Sequence, residues 1–148
     1  MFVTFSPADG DAQRWSYDPD EVMASKAEMI EKRFGASWEA FGAAVIQGSM
    51  RARRVLLWHL MTLTHPSIRY EDVADFRSKD LLVEFSAAEL VRMRDRLAKA
   101  NLPEAEREQI TTALDIQITD AMAREELDTR PAADSGKALS SADASSTG

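Results

Sequence analysis

Three neighbouring stretches decide the fold: Gly35-Ala-Ser-Trp38-Glu-Ala-Phe41, Arg51-Ala-Arg-Arg54-Val-Leu-Leu-Trp58 and His65-Pro66-Ser-Ile-Arg-Tyr70-Glu-Asp-Val73. In the first, Ser37 is placed to cap a helix, and Trp38, Phe41 and Val45 recur at steps of three and four, which puts them on one helical face. Gly48 ends that helix. The second stretch lies in a helix expected from about Ser49 to Thr64, apolar nearly all round between Val55 and Leu63 and so expected to be the central, most buried element. Pro66 stops it, because proline has no amide hydrogen to donate and disfavours helical backbone just before it. The third stretch opens a segment, Ser67 to Val83, of mixed signals that reads mainly as loop. Within it Glu71-Asp-Val-Ala-Asp75 fits a single helical turn, and Leu81-Leu-Val-Glu-Phe85 fits either a short strand or an approach to the next helix.

Working outward, Phe2-Val-Thr-Phe5 alternates apolar and polar positions, and Arg14-Trp-Ser-Tyr17 is able to pair with it across the Asp9-Gly10 turn as a hairpin. Asp18-Pro19-Asp20-Glu21 combines a capping acid, a proline at the first helical position and a Glu able to reach back, with Tyr17 and Val22 as a hydrophobic staple. A helix is expected from there, with Met23, Ala27, Ile30 and Phe34 on one face and Gly35 at its left-handed end. Downstream, Ser86-Ala-Ala-Glu89 is a capping box that opens a helix with the stripe Leu90, Met93, Leu97 and Ala100. Asn101-Leu-Pro-Glu104 opens the last helix, whose apolar positions Ile110, Leu114, Ile118 and Met122 run to about Leu127. From Asp128 onward there is almost no apolar bulk to offset the roughly 1–2 kcal/mol of backbone entropy that ordering each residue costs. The expectation is a mainly α protein: a helical domain over residues 1–127 with about five helices and a short N-terminal β-hairpin, the last two helices forming a part of their own over 86–127, followed by a disordered tail over 128–148.

The 148 residues, 45% of them hydrophobic, suffice for one domain with a real core. A formal net charge of -7 argues against general affinity for nucleic acid, which needs a surplus of Lys and Arg on one face, and makes a protein the expected partner. With no cysteine there is no disulfide framework, thiolate zinc site or cysteine nucleophile, which suits a reducing cytoplasm. Met1-Phe-Val-Thr-Phe-Ser-Pro7 lacks the basic start and long apolar run of a secretory leader, so none is expected. The apolar run from Val55 to Leu63 is interrupted by His59 and Thr62 and falls short of the roughly 20 residues a bilayer requires.

Nothing in the chain names a catalytic chemistry. His59 and His65, six positions apart, do not share a helical face as a two-histidine metal pair would, and read as core or capping residues. Glu71, Asp72 and Asp75 have the oxygen donors for Mg²⁺, yet no lysine sits beside them at nuclease-like spacing and no Gly-rich phosphate loop exists, so a solvated acidic turn is favoured. No enzyme, cofactor or metal is therefore expected. Arg51, Arg53 and Arg54 stand in a stretch, Ser49 to Arg69, without any acidic residue. Their ordinary fate is pairing with the acids between Asp18 and Glu31; the alternative is a positive patch for a partner. Trp38 and Trp58 pose the same choice between core and interface anchor, since interfaces concentrate Trp and Arg.

The order of a helix, Gly35, Trp38-Glu39 in a short helix, Gly48-Ser49, a Leu-Leu-Trp58 helix, then His65-Pro66, Arg69-Tyr70-Glu71-Asp72-Val73 and Asp75-Phe76 resembles the small tail assembly chaperones of long-tailed bacteriophages, encoded just ahead of the tape measure protein. The likeness covers residues 14 to 76 and consists of hydrophobic and turn residues, not catalytic signatures. It implies a non-enzymatic protein of the host cytoplasm that escorts the helix-forming tape measure chain during tail morphogenesis and is absent from the finished virion, often with a longer frameshifted form. The tape measure protein is the implied partner and the tail tube protein a further candidate. The residues from Ser86 to Leu127 depart from the shortest members of that family, which keeps open the alternative of a structural tail or head-tail connector component. The partner contacts expected on this basis are Trp38, Phe41, Arg51, Arg54 and Trp58.

Overall fold

In a computed structural model, residues 1–129 are described, and the chain is mainly α with a small sheet. The elements are β1 (Phe2–Phe5), β2 (Gln13–Ser16), α1 (Ala24–Phe34), α2 (Trp38–Gln47), α3 (Met50–Thr62), β3 (Leu81–Glu84), α4 (Ala87–Ala98) and α5 (Glu104–Thr129). They fall into two compact units that divide between Phe85 and Ser86. Asp128 and Thr129, expected in the tail, are the last two residues of α5, and the remainder of that expected tail lies outside the described residues.

The first unit is built on α3. Ala52, Val55, Leu56, Leu57, His59 and Leu60 are all buried, as the apolar run around the helix demands, and α1 and α2 pack against it with Ile30, Phe41 and Val45. Short links fix this arrangement. Gly35, at φ 86°, ends α1, its N–H donating to the Glu31 carbonyl, and Gly48, at φ 90°, ends α2; both sit in left-handed backbone that side chains other than glycine rarely adopt. The hydroxyl of Ser37 accepts from the Ala40 amide and that of Ser49 from the Ala52 amide, so α2 and α3 each start on a serine cap, the first of them as expected. The Glu31 carboxylate accepts from the Trp38 amide at 3.0 Å, placing a negative charge at the start of α2.

Two local expectations change. The capped start at Asp18 is real, with Oδ1 accepting from the Asp20 amide at 3.0 Å, but it closes a single 3-10 turn, Pro19–Glu21. Val22 and Met23 then run extended, Val22 packs on the core, and α1 begins at Ala24; Met23, expected on the apolar face, is 73% exposed. Leu81–Glu84, within the segment expected to be mainly loop, is a strand, one of the two readings open for it. It pairs antiparallel with β1, Val3 opposite Val83 and Phe5 opposite Leu81, so the hairpin becomes a three-stranded sheet of order β2-β1-β3. A lone two-stranded hairpin is marginal in water, and the third strand makes β1 central, with Val3 and Phe5 buried.

The second unit pairs α4 with α5 as an antiparallel hairpin. At one end the Ala87 amide donates to Glu125 Oε1 at 2.7 Å; midway Arg94 binds Asp115 at 2.8 Å; at the turn Arg107 donates to the carbonyls of Ala100 and Leu102. The expected capping box is present, the Ser86 amide and hydroxyl donating to Glu89 Oε2 while the Glu89 amide donates to Ser86 Oγ. The covered positions of α5 are Arg107, Thr111, Leu114, Ile118, Ala121 and Glu125, alternating steps of four and three. The sequence stripe Ile110, Leu114, Ile118 and Met122 steps by four throughout, and at about 100° per residue each step advances about 40° round the helix. Its two ends therefore leave the covered face, and Ile110 and Met122 are exposed. Among the described residues no helix is long and apolar enough to cross a membrane.

This phase is testable. Ile118→Ala should weaken protection of the α4 and α5 amides in native-state hydrogen exchange by about 2–5 kcal/mol, whereas Met122→Ala should stay within about 0.5 kcal/mol.

Candidate functional site

Tyr70, at the start of a 3-10 turn (Tyr70–Asp72), gathers three side chains from two helices of the first unit, α1 and α3. The Arg33 guanidinium of α1 lies 4.6 Å from its ring centre, that of Arg54 from α3 5.0 Å, and the Trp58 ring meets it edge-on at 6.1 Å. Arg33 also lies 5.9 Å from the Trp58 ring and 3.6 Å from Glu71. Two further bonds hold the loop after Pro66 against α3: Trp58 Nε1 donates to the Ile68 carbonyl at 3.2 Å and an Arg54 terminal nitrogen to the Val73 carbonyl at 3.3 Å. Cations over aromatic faces contribute about 0.5–1 kcal/mol each at exposed sites and more when desolvated, so this cluster both orders the loop and presents positive charge beside apolar rings.

Clefts border the cluster. One of about 370 Å³ is lined by Lys26, Ile30, Arg33, Trp58, His59, Tyr70 and Glu71 among others; a second of about 470 Å³ by Met29, Lys32, Arg33 and Trp58; a third of about 310 Å³ by Met50, Arg51, Arg54, Tyr70, Asp75 and Phe76. The first two share Met29, Arg33 and Trp58, and the first and third share Tyr70.

The five expected contacts separate. Trp58 and Arg54 belong to the Tyr70 cluster, and Arg51 lines the third cleft while its guanidinium sits 6.0 Å from the Phe34 ring. Trp38 is half-buried, stacks on Phe41 at 5.6 Å and is not among the residues lining these clefts. Phe41 is corrected to a core residue: it is 1% exposed, packed edge-on against Phe34 as well as against Trp38, and offers a partner no surface. The arginines also differ from the pairing expected with the acids of Asp18 to Glu31. Arg53 donates to the Val45 carbonyl and Arg54 to that of Val73, so guanidinium groups satisfy helix-end and loop carbonyls; Arg54 Nε is buried with no hydrogen-bond partner among the described residues. Sequence reasoning missed Tyr70, Arg33 and Met29 as a group. The only signal was that Arg33 stands in the last turn of a helix and Tyr70 just after a proline turn, and nothing in the spacing joins the two.

The acidic turn is engaged locally. Asp72 receives both a side-chain bond and a backbone bond from Arg69, which hold its carboxyl below the usual range; Glu71 faces Arg33; Asp75 accepts from the Phe76 amide. Among the described residues no group of three or more His, Cys, Asp or Glu side chains converges as metal ligands would. His65 is exposed, whereas His59 is 7% exposed and packs edge-on against Tyr17 at 6.3 Å. Burial, then the nearby Lys26 charge, push the His59 pKa below its ordinary value, and burial, then the Asp18 charge, push the Tyr17 hydroxyl up. Neither family models, nor curated proteins, nor solved structures match this chain.

The His59 shift has a definite sign. The folded protein disfavours the imidazolium, so on acidification the unfolded chain takes up the proton first, near pH 6.5, and stability falls from there down to the lower folded midpoint. NMR titration should give His59 a midpoint below 6.5, and His59→Gln should remove part of the loss of urea resistance between pH 7.5 and pH 5.

Proposed function

We propose that this chain is a non-enzymatic tail assembly chaperone of a long-tailed bacteriophage, which acts in the host cytoplasm by covering helical segments of the tape measure protein. The reading draws on the resemblance over residues 14 to 76, and one observation supports it best. Lys26, Lys32, Arg33, Arg51 and Arg54 border adjoining clefts whose apolar parts are Met29, Met50, Trp58 and Tyr70, in a chain whose overall charge is negative. A surface of this kind suits helix-in-groove recognition: an apolar stripe seats on the methionines and rings, and acids beside the stripe meet the cations. Methionine and arginine adapt to varied partners, as needed where one protein coats many segments of a long chain. The tail tube protein is a second candidate for the same surface.

Lys32 and Arg51 are the informative positions. Both are exposed, and among the described residues neither side chain donates a hydrogen bond, whereas Arg54 secures the loop at Val73. The double variant Lys32→Glu, Arg51→Glu should reduce capture of co-expressed tape measure protein about tenfold, equivalent to about 1.4 kcal/mol, with helicity unchanged. Mass spectrometry of purified particles should find the chain absent; stoichiometric copies there would replace this proposal with that of a tail or head-tail connector component.

A further inference from the structure

The outer face of α5 carries a second stripe. Gln109, Thr112, Ile116, Thr119, Ala123 and Leu127 recur at steps of three and four, lie opposite the positions covered by α4, and are all exposed. None is charged, although α5 holds eight carboxylates and two arginines in its 26 residues. A solvated helix face normally carries its charges outward. Here the outermost line is neutral, with Ile116 61% and Leu127 64% exposed, and the acids stand at its margins: Glu108 and Glu126 on one side, Asp120 on the other. These three form no ion pair among the described residues, in contrast to Asp115, which Arg94 holds.

We infer that this face is a docking seam for one helix of a partner protein whose neutral stripe is bordered by lysine or arginine. From Gln109 to Ala123 the spacing is that of a heptad seam, in which the line of contact is apolar or small and the flanking charges select the partner, and Leu127 extends the line by one further step of four. Small residues, Thr and Ala, alternate with Ile116 and Leu127, so a neighbouring helix can approach closely between two apolar anchors. The margins decide the occupant: a second copy of α5 would set these acids against acids, whereas a basic-edged helix pairs Glu108, Asp120 and Glu126. At about 1.5 Å per residue the helix runs about 39 Å, long enough for several heptads of contact. The seam lies in the part of the chain that the tail-chaperone resemblance does not cover, so its failure would leave the proposal for the surface around Tyr70 untouched.

The probe is a synthetic helix of about four heptads with Leu and Ala along one seam and lysine at the flanking positions, measured against a glutamate-flanked twin and a scrambled peptide of the same composition. The full chain should bind the lysine peptide at least about tenfold tighter than either control. Binding should weaken with salt, and amide shifts should move along 109–127 and not around Tyr70. Ile116→Ser with Leu127→Ser should lower affinity at least about tenfold, leaving thermal stability unchanged because both side chains are exposed; the milder Ile116→Ala with Leu127→Ala should act in the same direction. Equal affinity for the controls, shifts confined to the first unit, or binding indifferent to these substitutions would overturn the inference. So would a homodimer in sedimentation that Leu127→Ser dissociates, because the occupant would then be a second copy.

Discussion

Burial of α3 from Ala52 to Leu60 is the constraint on which the first unit depends. That helix has apolar residues on nearly every side, so it must be enclosed, and the pieces that enclose it determine the surface outside. α1 and α2 cover part of it through Ile30, Phe41 and Val45, and the strands and the loop after Pro66 contribute Val3, Phe5, Val73 and Leu81 to the same core. Arg54 and Trp58 are half-exposed residues of this largely buried helix, and their bonds to the Val73 and Ile68 carbonyls bring Tyr70 beside α1. The clefts around Tyr70 are in that sense a by-product of enclosing one apolar helix, and their charge comes from residues that were free to face outward.

What was legible in the sequence was local. Ser37, Ser49 and the Ser86–Glu89 pair act within three residues of themselves, and Gly35 and Gly48 mark helix ends through their own backbone angles, so each could be read without knowledge of the rest of the chain. The pairing of Leu81–Glu84 with Phe2–Phe5 is set by partners almost eighty positions away, and a four-residue run of Leu-Leu-Val-Glu shows no alternation by which to detect it. In α5 the helix itself was plain, but two opposed stripes overlap in the sequence, and a register chosen by steps of four blends them. The Asp18 cap was read correctly as a cap and wrongly as the start of a long helix, since the demand of Val22 for the core, which ends the turn, is a tertiary effect.

The candidate surface was legible only in part for a related reason. Trp58 and Arg54 carry a compositional signal for interfaces, and both border the clefts; Phe41 carries the same signal and is core, because an aromatic at helical spacing does not reveal which side of its helix is enclosed. The arginine cluster was expected to meet acids, yet the atoms within reach are main-chain carbonyls at a helix end and in a loop, acceptors that every residue supplies and no sequence pattern displays.

The position of β1 has a consequence for how the chain is made. The central strand of the sheet leaves the ribosome before the other elements of its unit, and one of its two neighbours, β3, is the last of them, so Val3 and Phe5 wait with an open edge until Glu84 has emerged. During that interval the helices between them can dock with one another, but the sheet cannot close. Synthesis rate across residues 5 to 81 thus sets how long an unpaired apolar strand is displayed to other nascent chains.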